Sequence, residues 1–368
     1  MKILVAPNAF KGTFGAAAAA AALAAAARRA MPGAEAEELP IADGGDGLLE
    51  ALRPALGGRL YRASAPGPLG EPLRARWLLA GETAVIEMAE AAGLRLCRGK
   101  LRPLDASTAG VGILLLAAAR RGAKEIIVGL GGSASNDGGA GCAAAAGIAL
   151  LDGAGRPIAP GARGLSGLAC AVRLPGARWP RGVKVTGLSD VRNPLCGRLG
   201  SARVFGPQKG AGPREVELME SGLRRLARVA ARDLGVKISD LPGGAAAGGL
   251  GAGLAAFFGA RLEDGAEYVL RKTGFREKLS RAGLLITGEG RFDRQTFYGK
   301  APGAALALAR AAGVRAVVVC GSCEKAVRPG PGAPYAVVEA GEAGRTPAGL
   351  GRALAAALPG LLRAPAVP

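Results

Sequence analysis

The sequence predicts an α/β protein with mostly parallel strand pairing, divided into two domains. Two observations carry this. Short apolar runs rich in Val and Ile recur along the chain: MKILVAP (1–7), TAVIEMAE (83–90), EIIVGLGG (125–132), VKVTGLSD (183–190), GLLITGEG (283–290), AVVVCGS (316–322) and YAVVEAG (335–341). Alanine-rich stretches with helical character separate them, which is the pattern of strands buried between helical layers. A chain of 368 residues also has more material than one ordinary domain needs.

Taken in order, MKILVAP is the first strand and GAAAAAAALAAAARRAMPG (15–33) the first helix, closed by Pro32 and Gly33. That alanine run follows a strand, lacks a Leu-rich centre and leads into no cleavage site, so it is not read as a signal peptide. No apolar run reaches the roughly 18–20 residues a membrane helix requires, and the expected location is the cytoplasm. SAPGPLGEPLR (64–74) is rich in Pro and Gly, lacks periodicity and suggests a boundary. A second boundary is expected before GLLITGEG, after the helical stretch LEDGAEYVLRKTGFREKLSRA (262–282). The N-terminal strand would then pair with the C-terminal strands. One discontinuous domain, 1–64 with 285–368, would carry an inserted domain, 65–284.

The composition excludes several chemistries. There is no histidine, which removes Ser-His-Asp and Cys-His catalysis, HExxH zinc sites and any imidazole base. Acid–base work falls to Asp, Glu, Lys, Tyr or Cys. The six cysteines make no disulfide framework, and the CxxC at Cys320 and Cys323 ends a strand with no second pair. The net charge of +19 is spread along the chain, aromatics are 4 %, and no nucleic-acid signature occurs. Anionic small molecules account for the charge without nucleic acid or membrane. No Walker A pattern is present, and GGLGAG (248–253) follows a loop rather than a strand, so it is no dinucleotide fingerprint.

Binding loops of parallel sheets lie beyond the carboxyl ends of the strands, where the polar clusters fall. GLGGSASNDGGAGC (129–142) closes a strand with Gly131, Gly132, Ser133, Ser135, Asn136 and Asp137 and then opens a helix. It reads either as an Asx/Ser turn with an N-cap or as an anion loop favoured by outward N–H groups and the helix dipole. IADGGDG (41–47) sets Asp43 and Asp46 around two glycines, as a helix cap or as a substrate or metal loop. FGPQKGA (205–211) offers Gln208 and Lys209, and a lone lysine is ordinarily solvated. GEGRFDRQTFYGKAP (288–302) is the densest cluster, with Glu289, Arg291, Asp293, Arg294, Gln295, Thr296 and Lys300 directly after a strand. Backbone donors, carboxylates and cations together are the mixture phosphoryl transfer requires.

MKILVAPNAFKGT, PIADGGDG, GLGGSASNDGGAGC, SDVRNPLCG, FGPQKGA, GGAAAGGLGAGL and ITGEGRFDRQTFYGKAP occur in the order and approximate spacing of one family. Over residues 1 to about 323 the chain resembles the bacterial glycerate kinases. The resemblance implies the type I fold of that family: a discontinuous Rossmann-like domain and an inserted α/β domain with the active site in a cleft. It implies phosphorylation of D-glycerate by ATP with Mg²⁺, at the 2-hydroxyl, with D-glycerate and ATP as small-molecule partners. The residue types leave open the 3-hydroxyl or another small hydroxy acid. Strand-end position and family motif together make Asp190, after VKVTGLS, the expected base for the hydroxyl proton, with Lys300 and Asp293 also catalytic. Asp43 and Asp293 are expected at the metal. Lys11, Asp43, Arg291, Gln295 and Thr296 are expected at glycerate. The 131–137 loop, with Gln208 and Lys209, is expected at the nucleotide or another anion. Asn8 and Ala9 stand where the family usually carries Asp and Ser.

Overall fold

The computed structural model describes residues 1–174, 179–180, 182–330 and 333–363. Residues 364–368, the end of the expected C-terminal segment, lie outside that set. In chain order the strands are β1 (Lys2–Pro7), β2 (Glu35–Glu38), β3 (Arg59–Pro66), β4 (Pro72–Ala80) and β5 (Thr83–Glu87). There follow β6 (Glu125–Gly129), β7 (Ile148–Leu151), β8 (Cys170–Arg173) and β9 (Lys184–Ser189). The last four are β10 (Arg261–Asp264), β11 (Leu284–Phe292), β12 (Arg315–Cys323) and β13 (Tyr335–Glu339). Contacts divide the chain into two units, Met1–Gly57 with Asp264–Pro368, and Gly58–Glu263.

The discontinuous unit holds a five-stranded sheet in the order β13-β12-β11-β1-β2, with every neighbouring pair parallel. The central strands β1, β11 and β12 read as largely apolar runs because both faces are covered. Successive side chains point to opposite sides. Leu4, Ala6, Leu285 and Val318 therefore enter one core, while Ile3, Val5, Leu284, Ile286, Val317 and Val319 enter the other. On the second face lie the helices Ala16–Ala30 and Pro347–Arg363. Alanine is the best helix former, and here it also leaves room: a Cβ on Gly351 would stand 3.1 Å from the Ala22 carbonyl oxygen. The first helix ends with Arg28 and Arg29 in its last turn, opposite the negative end of the macrodipole.

The other unit is built on a six-stranded sheet, β10-β9-β6-β5-β4-β3, in which β5, β6 and β9 are parallel. β3 and β4 join it antiparallel. The Pro- and Gly-rich stretch 64–74, read from the sequence as aperiodic, is the end of this hairpin. The Gly67 N–H bonds the Glu71 carbonyl at 2.7 Å, and Pro66 faces Pro72 where the ladder stops. Proline is tolerated there because β3 is an edge strand that needs no further donor. The 262–282 stretch begins in β10 and, within the discontinuous unit, continues as two short helices, Gly265–Lys272 and Phe275–Leu279, interrupted at Gly274 with φ +67°. Helix Pro213–Leu234 places Met219, Leu223, Leu226 and Ala230 against the core. It starts with Pro in its first turn and stops at Gly235 in the left-handed region.

GGLGAG has a packing role. Gly248 adopts φ +69°, and a Cβ on it would lie 1.8 Å from the Ser135 carbonyl oxygen; one on Gly253 would lie 2.3 Å from the Gly138 oxygen. These glycines let helix Leu250–Phe258 and its entry loop press against the backbone of residues 135–139. Gly248→Ala combines a disfavoured φ with a backbone overlap. Urea unfolding of that variant should show a stability loss of about 2–4 kcal/mol.

Candidate active site

In the discontinuous unit, the loops after β1, β2 and β11 carry the charged residues singled out in the sequence. Lys11 follows β1 and is exposed. Asp43 lies in the loop after β2 and is buried. Its Oδ2 accepts from Asn8 Nδ2 at 3.0 Å, and its Oδ1 from the Gly45 N–H at 3.3 Å. Neither aspartate of IADGGDG caps the following helix, whose N-cap is Gly47 in the left-handed region. The Asp43 backbone is pinned by close approach: a Cβ on Gly265 would stand 2.2 Å from its carbonyl oxygen.

The cluster after β11 folds onto itself. Asp293 caps the 3₁₀ turn Arg294–Phe297, accepting from Gln295 N–H at 2.9 Å, while Arg291 Nε lies 3.2 Å from its other oxygen. Lys300 Nζ sits 3.5 Å from Glu289 and 3.8 Å from Asp293. Thr296 is buried, and its hydroxyl donates to Glu289 Oε1 at 2.6 Å. Thr296, expected at glycerate, supports this carboxylate through its hydroxyl. Glu289, given no separate role from the sequence, is the buried carboxylate of the cluster. Burial pushes its carboxyl up, and the Asp43 charge adds to this against the Thr296 hydroxyl and Lys300. Gln295 and Arg294 remain exposed.

In the other unit, Asp137 is fully buried and its carboxylate is committed within the protein. It accepts from the Thr108 N–H at 2.8 Å, the Thr108 hydroxyl at 2.9 Å, and the N–H groups of Gly139 and Gly141, each at 3.1 Å. Burial pushes its carboxyl up, and these donors oppose that. The N–H groups of Gly139 and Gly141, beyond the residues expected at an external anion, therefore serve an internal one. The anion they hold is Asp137. The following helix, Ala140–Ala145, is only six residues and contributes little dipole.

Beside this anchor stands a cation. Lys209 ends the short 3₁₀ turn Pro207–Lys209 and, contrary to a solvated reading, is buried. Its ammonium donates to Ser133 Oγ at 2.8 Å, the Ser135 carbonyl at 2.6 Å and Asn136 Oδ1 at 3.4 Å. Burial brings its pKa down to about 7, against the Asp137 charge. Gln208 is exposed next to it. The loop is also tied to the segment after β5: Leu94 N–H bonds the Gly132 carbonyl, and Ala134 N–H that of Ala92. That segment is fixed by buried Glu90, which accepts from Arg76 and Arg95, each at 2.9 Å. Burial would raise the Glu90 carboxyl, but the Arg76 and Arg95 bonds hold it below its ordinary value. Asp190 follows β9 directly, at the carboxyl end of the sheet.

Thr108 and the burial of Lys209 were outside the sequence reading, while Glu289 was named in its cluster without a role of its own. Ser107-Thr108 before an apolar helical run is a local helix-start signal, whereas nothing local marks the burial of Lys209. The cysteines are free. Burial pushes Cys320 up to about 12, so the CxxC offers no ready thiolate there.

The glycerate kinase family profile matches residues 3–342. The chain belongs to the glycerate kinase family. It is 42 % identical over 323 residues to a glycerate kinase of Halalkalibacterium halodurans, covering 87 % of this chain and 85 % of that one. It is 39 % identical to the glycerate 2-kinase of Escherichia coli K12, covering 82 % and 80 %. A solved structure, "putative glycerate kinase 2" from Salmonella typhimurium LT2, superposes with a TM-score of 0.83 at 36 % identity over 99 % of both chains. Members of this enzyme family phosphorylate an alcohol group, and kinase chemistry implies ATP as co-substrate. The fold is the two-unit α/β fold the sequence resemblance implied. Among the described residues no helix is long and apolar enough to cross a membrane.

Lys300→Met removes the cation beside two carboxylates. It should lower kcat/KM by about 10²-fold in steady-state assays while the melting curve stays cooperative.

Proposed function

We propose that the chain transfers the terminal phosphoryl group of ATP to the 2-hydroxyl of D-glycerate, giving 2-phosphoglycerate and ADP with Mg²⁺. The observation that carries the reading is the family match across residues 3–342, whose matched motifs lie on charged loops after parallel strands. The name of the Escherichia coli relative, glycerate 2-kinase, supports the 2-position.

The reaction needs a base for the hydroxyl proton, cations for the transferring group, and donors for the triphosphate. In this reading Asp190 accepts the proton. No histidine is available, and Asp190 ends a strand where substrate loops gather. Lys300 balances charge on the transferring phosphoryl group, and its two carboxylate neighbours hold its ammonium in place. Lys11, Arg291 and Gln295 contact glycerate, since guanidinium and ammonium groups pair with a carboxylate. Gly131, Gly132, Ser133, Ser135 and Asn136 line the nucleotide phosphates, shaped by Asp137, with Gln208 and Lys209 alongside.

Among the described residues no group of three or more Asp, Glu, Cys or His is clustered as a metal cage. That fits Mg²⁺, which is ordinarily held by one or two carboxylates plus phosphate oxygens. Asp43 and Asp293 are the carboxylates that would hold it. Bound there, Mg²⁺ would offset charge on the phosphate oxygens.

Phosphorus NMR of a reaction containing ATP, D-glycerate and Mg²⁺ should show 2-phosphoglycerate, and excess EDTA should abolish it. A 3-phosphoglycerate signal, or full turnover in chelator, would overturn the regiochemistry or the metal dependence respectively. Asp190→Asn keeps shape but cannot take the proton. Its kcat should fall by about 10²–10⁴-fold, with ATP affinity and melting temperature nearly unchanged. Retained kcat with a lowered melting temperature would assign Asp190 to structure.

A further inference from the structure

A buried lysine whose partners are all neutral is an unusual arrangement, because an ammonium taken from water needs an opposite charge. The acceptors of Lys209 are a hydroxyl, a carbonyl and an amide oxygen. The one charge acting on it, Asp137, is already bound by Thr108, Gly139 and Gly141. A second observation lies in the same loop. Ser135 Oγ and Asn136 Nδ2 are fully buried and have no hydrogen-bond partner. Buried polar atoms of this kind are rare, and each calls for an explanation. Two orphaned groups able to donate, beside an ammonium whose three N–H groups already serve neutral acceptors, have one common complement: an anionic oxygen group that accepts from both and offsets the ammonium's charge.

We propose that Lys209, Ser135 and Asn136 form a seat for a phosphate group, and that phosphate binding draws a proton onto Lys209. The inference deepens the assignment of this loop to the nucleotide and rests on that reading for the source of the phosphate. A phosphate fits better than a carboxylate, since it offers three acceptor oxygens and up to two charges. With its pKa near 7, Lys209 is largely neutral at pH 8.5 before the anion arrives. The anion restores the missing charge, favours the ammonium and raises that pKa. Binding and protonation are then linked. Lys209 is a binding residue that changes charge with occupancy, rather than a fixed loop staple.

Titration calorimetry at pH 8.5, in buffers of differing ionisation enthalpy, tests this on the full chain with ADP, inorganic phosphate and D-glycerate as separate probes. ADP and phosphate should each take up about one proton per molecule bound. Lys209→Met should abolish the uptake and weaken ADP binding by at least about tenfold. Ser135→Ala removes a hydroxyl that bonds nothing in the protein. It should leave the melting temperature unchanged yet weaken ADP and phosphate several-fold, which a purely structural role would not do. Uptake with D-glycerate alone, uptake that persists in Lys209→Met, or unaltered ADP affinity in Ser135→Ala would each overturn the seat. Proton-linked phosphate binding without any phosphorylated glycerate would instead overturn the catalytic reading and leave the seat standing.

Discussion

The buried carboxylate of Asp137 is the constraint around which the glycine loop is built. Burying an ion without compensation is costly, and each bond to a charged group returns on the order of 1.5–3 kcal/mol. Four such donors converge on Asp137 from Thr108, Gly139 and Gly141. To reach them the backbone must come in close. A Cβ on Gly141 would lie 2.2 Å from Ser107 Oγ, and one on Gly248 would strike the Ser135 carbonyl. Gly141 of GGAGC thus makes room for the donors of one charge, and the glycines of GGLGAG for the backbone of the turn it fixes. The carboxylate fixes the turn from inside and leaves Ser135 and Asn136 with side-chain donors to offer.

The discontinuous unit meets the same problem differently. Glu289 near the end of β11, Asp43 in the loop after β2 and Asp293 just past β11 lie in one unit, with Lys300 close to Glu289 and Asp293. Burial, with the Asp43 charge beside it, keeps the Glu289 carboxyl raised. Its charge is supported by the Thr296 hydroxyl and the Lys300 ammonium rather than by a bidentate arginine. The amide of Asn8 adds a donor to Asp43 where an acid at that position would have added repulsion.

Much of the fold was legible because its signals are local. The seven apolar runs all became strands, since a strand buried on both faces must be apolar along its length. β2, with the sequence EAEE, and the β3–β4 hairpin were not foreseen. A short acidic edge strand carries no apolar pattern, and hairpin residues around 64–74 include prolines that ordinarily argue against a ladder. The charged clusters were found for a topological reason: parallel strands deliver their loops to one end of the sheet.

By itself, the sequence determined the α/β layering, the exclusion of imidazole chemistry through the absence of histidine, and the strand ends on which polar loops would stand. Each of these depends on residue type or on neighbours a few positions away. Only the tertiary structure decided which charges are buried and what they touch. Lys209 meets Ser133, Ser135 and Asn136 across more than seventy residues of chain, and Thr108 meets Asp137 across 29. A lysine or a carboxylate has no fixed charge state apart from its surroundings. Desolvation and hydrogen bonding set that state, and both arise from packing between segments distant in sequence.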